Sequence, residues 1–441
     1  MDQTSASKVD VGGFIDAQTI SRFQIGLLLM CASVLFVDGF DAQAIGYTAP
    51  SIVGEWHIDR TSLGPVFSAG LFGLMIGALL MGPLADRIGR KRIIVLSVLA
   101  FGLGTLATVL ATDTQSLLFI RFATGLGLGG ALPNAVALTA EYSPQRRRAT
   151  MVMAMFAGFS VGAALGGLLA AAIIPAFGWR SVYVVGGVLP LLMVPWLALK
   201  LPESLRFQAM TGRANDAVRG TLQKIAPAHR FADGAQFVIT EPNLPGQPVA
   251  QLLRGGRALA TVLIWIMFFM SLLDIYFLSN WLPLVLNGLG SSVSMSAAIG
   301  AMLQVGGLVG ALALGRVFDR FSYRALPVVY LLAAGAVALI GYSSGDTVMV
   351  TIAIFVAGFG IIGGQNGANA MAATFYPTSI RSTGVGWAFG IGRIGSIIGP
   401  LLGGALLARH WSLEALFSAA AVAALCASLA AFGLTLLARR D

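Results

Sequence analysis

Asp38 and Asp41 sit three residues apart inside an apolar run from Ile25 to Thr48. At that spacing both carboxyls fall within about 60° of each other on one helix face. An ionised side chain at mid-bilayer depth costs about 3 kcal/mol or more, so two of them call for a function. A buried acid beside a cavity can take up and release a proton, so the pair points to proton uptake coupled to the movement of a solute. Asp274 is a third acid inside an apolar run, near Tyr276, Asn280 and Trp281. It reads either as a second proton site or as half of an outer gate.

Two cations lie at comparable depth. Arg121 could pair with an aspartate of the first apolar segment and favour its charged form, or it could snorkel outward as a structural arginine. Arg393 falls near the middle of its segment. Its planar fork can hold a carboxylate with two hydrogen bonds and stays charged, so it reads as an anion-binding group or as half of an internal salt bridge to Asp274 or another acid. Asn134 and Glu141 share another helix face, seven residues apart. Asn134 is a candidate substrate contact. Glu141, beside Arg146, Arg147 and Arg148, reads as an ion pair at the cytoplasmic gate or as a further proton carrier.

These groups need elements to hold them. The 441 residues are 57% hydrophobic and 11% charged, with mean hydropathy +0.83. Soluble domains carry about 25% charged residues, so this is a polytopic membrane protein with spans of about 20 residues. Twelve apolar segments are legible, the first at about 24–48 and the last at about 411–438. Of the 28 Lys and Arg, all but Arg60, Arg180, Arg409 and the intramembrane Arg121 and Arg393 lie in loops of one side. That asymmetry places both termini in the cytoplasm and accounts for the net charge of +9 without nucleic acid. The polar first 22 residues and the full-length first span are not a cleavable leader. Cys31 and Cys426 fall within spans, and His57, His229 and His410 in loops, so neither a disulfide framework nor a metal site is indicated. No phosphate-binding glycine–lysine loop occurs, so ATP is not the energy source, and nothing suggests an enzyme or a cofactor.

The chain repeats. An offset of 233 residues maps Gly82, Asp86 and Arg87 onto Gly315, Asp319 and Arg320. The same register maps Gly125, Gly162, Gly166 and Asp41 onto Gly358, Gly395, Gly399 and Asp274, whereas Asp38 maps onto Ser271. Parallel six-helix repeats with a midplane site between them are a transporter architecture. The expected fold is all-α: twelve transmembrane helices in two pseudo-symmetric six-helix bundles. The divisions are an N-terminal tail (1–22), a first bundle (23–200), a cytoplasmic linker (201–257), a second bundle (258–438) and a C-terminal tail (439–441). The linker reads as a solvated connector with short amphipathic helices near Ser204–Met210 and Asn215–Ile225. Because Asp41 has a counterpart in the second repeat, it is the preferred proton carrier of the helix-1 pair.

The loop after the second segment reads Gly82-Pro83-Leu84-Ala85-Asp86-Arg87-Ile88-Gly89-Arg90-Lys91-Arg92. Its glycines permit close approach and a tight turn, and Asp86, Arg87 and Arg90, with Asp319 and Arg320 in the second copy, are candidate gating residues. This loop resembles the signature of the major facilitator superfamily, and the twelve-span pattern covers the chain. Arg121-Phe122-Ala123-Thr124-Gly125 with Gly127, Gly129 and Gly130 is similar to the family's second motif. Asp38-Gly39-Phe40-Asp41, together with Pro202-Glu203-Ser204, resembles the aromatic acid:proton symporters.

The resemblance implies import of a benzoate- or hydroxybenzoate-like anion with protons, across the inner membrane of a bacterium. It implies no protein partner beyond the lipid bilayer. On that reading Arg393 holds the carboxylate. Gln365, Asn366 and Asn369 lie within about 100° on one face of the tenth segment and suit ring hydroxyls, while Phe389 and Trp387 are candidate stacking partners. A drug-efflux antiporter is the alternative. The glycine–proline motif expected of antiporters in the fifth segment is absent there, and Gly399-Pro400 occurs in the eleventh instead. A transporter-like sensor of aromatic acids is a further alternative, for which the linker shows no signalling module.

Overall fold

The computed structural model describes residues 8–210, 215–231, 235–238, 251–254, 256–343, 346–376 and 380–437. Twelve long helices form its body. The first half has α1 (Arg22–Trp56), α2 (Leu63–Ile88), α3 (Arg90–Ala107), α4 (Thr114–Glu141), α5 (Arg148–Phe177) and α6 (Arg180–Lys200). The second has α7 (Ala258–Gly288), α8 (Val293–Phe321), α9 (Leu326–Tyr342), α10 (Thr347–Phe375), α11 (Arg381–Ala408) and α12 (Leu413–Leu437). Eleven are long and apolar enough to cross a membrane. The twelfth, α9, has 17 residues, about 26 Å, at the short end of the spanning range.

Helix α1 outruns its apolar segment. It starts at a capping box, in which Ser21 Oγ accepts from the Gln24 N–H and Gln24 Oε1 accepts from the Ser21 N–H. It then runs 35 residues, through Pro50, to a left-handed cap at His57. Hydropathy marks where lipid ends, not where a helix ends, and one proline removes one backbone bond without stopping a well-packed helix.

The repeat is visible in the packing. In each half the first helix pairs with the fifth, the second with the fourth and the third with the sixth. Small residues let backbones touch, as in lipid-embedded helix pairs. A Cβ added at Gly162 would meet the Phe36 carbonyl, and one at Gly395 the Phe269 carbonyl. Gly73 and Phe122 are matched by Gly306 and Phe355, and Gly77 and Leu126 by Gly310 and Phe359. Each pair is related by the same offset that aligns the sequence halves.

The halves meet toward the ends that the charge distribution assigns to the outside. There α5 lies on α8, α2 on α11 and α1 on α7. Ser68 Oγ donates to the Ile397 carbonyl at 2.8 Å, and Ser294 Oγ to the Ala171 carbonyl at 2.5 Å. Phe67 meets Trp281 edge-on at 5.2 Å. Among the described residues, no hydrogen bond or ion pair joins the halves on the opposite side. The halves are closed on the side of these contacts.

The described parts of the tail and linker are not a loose connector. Strand β1 (Lys8–Asp10) pairs in parallel with β2 (Gln236–Val238), and short helices cover Val11–Ala17, Leu205–Met210 and Asn215–Ile225. Val11, Ile15, Val218, Leu222 and Phe237 are buried in one cluster with Leu27 and Leu138 of the first half. An apolar stripe on a short amphipathic helix needs such a surface. The strand pairing was not legible because its two partners are three residues each and lie far apart in the chain.

Candidate functional site

Asp41 of α1 points into the first half, away from the other bundle. It is fully buried. Thr105 Oγ1 of α3 donates to its Oδ1 at 2.6 Å, and Arg121 Nη1 of α4 lies 3.1 Å from both carboxylate oxygens. Arg121 Nη2 also donates to the Asp41 carbonyl at 3.3 Å. The glycines after Arg121 bring this cation close to α1: Gly125 lies on the Gly70 backbone and Gly129 on that of Leu74 and Ala78, seating α4 against α2. A buried charge pair is tolerable when additional hydrogen bonds support it; Thr105 serves Oδ1 and the α1 carbonyl serves Arg121, while Oδ2 has the Arg121 charge but no hydrogen-bond partner. Tyr183 of α6 borders the pair, its hydroxyl 2.9 Å from Thr48 Oγ1.

Asp38 sits one turn earlier and has no such complement. It is 2% exposed, and its Oδ1 has no partner. In the other half, Arg393 of α11 is a cation within an apolar span. Arg393 is half-buried and has no carboxylate within ion-pair distance among the described residues. Its Nη1 donates to the Tyr276 hydroxyl of α7 at 3.2 Å. The salt bridge to Asp274 considered from sequence is therefore not formed. A cavity lined by Ala42, Ile45, Phe67, Leu71, Arg121 and Tyr276 lies between the halves at this level. Asp38 of one half and Arg393 of the other thus both stand without an ion-pair partner among the described residues.

Asp274 lies elsewhere. It is fully buried, and neither of its carboxyl oxygens has a partner. One turn before it on α7, Ser271 Oγ accepts from the Tyr330 hydroxyl of α9 at 3.2 Å. The residue corresponding to Arg121 in the second repeat is Ile354, fully buried. The acid repeats and its counter-cation does not. An isolated ionised carboxylate in such surroundings costs several kcal/mol.

The amides and aromatics expected around the substrate distribute unevenly. Gln365 donates to Asn369 Oδ1 at 2.9 Å and leaves its own buried Oε1 without a partner. Asn366 donates back to the Ile362 carbonyl, and Asn134 to the Gly130 carbonyl, so both amide nitrogens serve their own helices. Phe389 packs edge-on against Phe268 at 5.4 Å. Trp387 is 43% exposed and stacks on Trp265. Sequence reading missed Thr105, Tyr183 and Gln43. Gln43 is buried with its Nε2 unpartnered. The signal for all three was a polar group within an apolar span.

At the C-terminal end of α4 Glu141 is ion-paired with Arg90 and accepts from Ser204 Oγ at 2.7 Å. Glu203 accepts from the Lys91 N–H at 3.1 Å and the Ser204 N–H at 2.8 Å, and its carboxylate lies against Gly89. Gly89 has φ +102°, a conformation that glycine adopts without strain. Asp86 and Arg87 are exposed, and Gly82 has open space where a Cβ would stand. The side chains of Asp319 and Arg320 lie outside the described residues.

The sequence and fold were compared with known proteins. A family profile for the Major Facilitator Superfamily matches residues 31–366 and 264–441. The chain is 42% identical to the 4-hydroxybenzoate transporter PcaK of Pseudomonas putida, over 97% of this chain and 96% of that protein. It is 40% identical to a gallate transporter of Pseudomonas putida, over 96% of this chain and 94% of that protein. It is 39% identical to the 3-(3-hydroxy-phenyl)propionate transporter of Escherichia coli K12, over 91% of this chain and 92% of that protein. Among solved structures, the xylose transporter XylE from E. coli, in a partially occluded inward open conformation, superposes with a TM-score of 0.76 at 16% identity. That superposition covers 93% of this chain and 97% of that one. Twelve helices in two repeated bundles accompany a match along nearly the whole sequence: the chain belongs to the Major Facilitator Superfamily, a family of transporters and not of enzymes.

Proposed function

We propose that the protein imports an aromatic carboxylate together with protons, by alternating access, across the inner membrane of a bacterium, with both termini in the cytoplasm. The substrate class rests on the PcaK, gallate and phenylpropionate transporters to which the chain is similar. The single observation that carries the coupling is that Asp38, buried with its Oδ1 unpartnered, and Arg393, from the opposite half, both stand without an ion-pair partner among the described residues. Asp41 is already engaged by Arg121, so the carried proton is placed on Asp38 rather than on Asp41.

The chemistry follows from competition for one cation. An ionised Asp38 attracts Arg393 and repels an incoming carboxylate. Protonation from the outside removes that charge and frees the guanidinium for the anion, which it can hold in bidentate fashion. Gln365 and Asn369 offer amides to ring hydroxyls. The halves then rock about the site. Inside, loss of the anion and loss of the proton favour each other, because each leaves Arg393 to the other carboxylate. The Arg90–Glu141 pair and the Asp86 loop act at the cytoplasmic gate.

One proton with one monoanion moves no net charge, so the pH gradient alone drives uptake, at about 1.4 kcal/mol or tenfold accumulation per unit. A second proton would add the membrane potential, about 2.3 kcal/mol per 100 mV. The test is accumulation of labelled 4-hydroxybenzoate in proteoliposomes with an alkaline interior. Accumulation that collapses with the gradient is expected. Failure to accumulate any of benzoate, 4-hydroxybenzoate, gallate or a phenylpropionate would overturn the reading.

A further inference from the structure

Tyr276 occupies a place that the coupling scheme does not use. Its hydroxyl accepts from Arg393 Nη1 at 3.2 Å, within the second half. Its ring is 6% exposed and packs in a small apolar cluster with Leu272 and with Leu71 of α2, from the first half. It also lines the cavity between the halves, with Arg121 on the far wall. One side chain therefore touches the anion-binding guanidinium at its tip and the opposite bundle at its face. The Ser68–Ile397 bond and the Phe67–Trp281 contact, which hold the halves together on the outer side, come from the same helices.

We propose that Tyr276 is a positioning residue linking occupancy of the anion site to closure of the outer side. This rests on the reading of Arg393 as the carboxylate site. In the empty carrier the hydroxyl holds one arm of the guanidinium and leaves the rest of the fork toward the cavity. The arriving carboxylate finds an arginine already oriented, and the ring stays seated on Leu71. Without the hydroxyl, the guanidinium loses its orientation while the seal is kept. Without the ring, the seal is lost as well.

Two variants separate these roles. Tyr276→Phe keeps the ring and is expected to raise the KM for 4-hydroxybenzoate by about fivefold, the worth of one hydrogen bond, with maximal rate within about twofold of the parent. Tyr276→Ala is expected to lower the maximal rate of gradient-driven uptake as well. The Phe variant is also made in an Arg393→Lys background, where the fork geometry is gone, and binding of 4-hydroxybenzoate to purified protein is measured. The Phe substitution is expected to add no further loss there. An unchanged KM in Tyr276→Phe, or an equal loss in both backgrounds, overturns the proposal. Failure of the underlying reading looks different: Arg393→Lys would then leave carboxylate binding unchanged.

Discussion

Arg121 and Asp41 form an ion pair sealed inside the first bundle, with the Arg121 side chain 5% exposed and the Asp41 side chain 0%. Its nearest relation in the second bundle is Asp274 facing a half that offers Ile354 instead of a cation. The two acids repeat in sequence and differ in physical setting. Asp38, one turn from Asp41, has neither arrangement: its Oδ1 is buried without a partner and no ion pair holds it among the described residues.

Asp41→Asn should strand Arg121 as a buried unpaired charge. A loss of about 3–5 kcal/mol is expected, together with loss of gradient-driven accumulation. Pairing it with Arg121→Gln should recover much of the stability. Thermal unfolding in detergent reads this out, and a double variant no more stable than the single one would mean that the pair is not what holds these helices.

Asp38→Asn should behave differently. It removes the proton carrier and leaves the Arg121 pair intact, so substrate exchange down a concentration difference should persist while accumulation against one is lost. In the parent, uptake at fixed inner pH should rise as the outer pH falls, because protonation of Asp38 from outside precedes anion binding. The variant should lose that dependence. Retention of a parental pH profile by Asp38→Asn would return the proton to another acid.

Arg393→Ala should weaken binding of 4-hydroxybenzoate about 10- to 100-fold, the range for a hydrogen bond to a charged group. Binding of the matching carboxamide should change little. Equal weakening of both, measured by calorimetry on purified protein, would assign Arg393 a structural task instead.

Three glycines should respond in an order set by their surroundings. Gly39→Ala places a methyl against the Phe159 carbonyl of α5 and should cost about 1–3 kcal/mol. Gly89→Ala is strained twice, by its positive φ and by the Glu203 carboxylate. Gly82→Ala meets nothing in this arrangement, so folding should be normal. If the halves close over Gly82 in the other arrangement, its turnover should fall while stability does not. Expression, unfolding temperature and transport rate separate the three.

Much of this protein was written in one dimension. Bilayer thickness sets helix length, so the twelve helices were legible from the apolar segments. The repeat was legible too, because backbone contact leaves no alternative to a small residue: Gly162 with Phe36 and Gly395 with Phe269 obey one register. The presence of acids and arginines in the membrane could be read as functional, since each carries a cost.

Their partnerships were decided only by the tertiary structure. Asp38 and Asp41 lie about 60° apart on a helix wheel, yet sequence could not say that one turns to Thr105 and Arg121 while the other has its Oδ1 buried without a partner. Nor could it show that both oxygens of Asp274 are buried without a partner, or that the tail pairs with the linker through β1 and β2. The reason is physical. Periodicity reports which face of a helix is polar, whereas the charge that meets that face belongs to a helix far away in the chain and is brought there by the packing of both bundles.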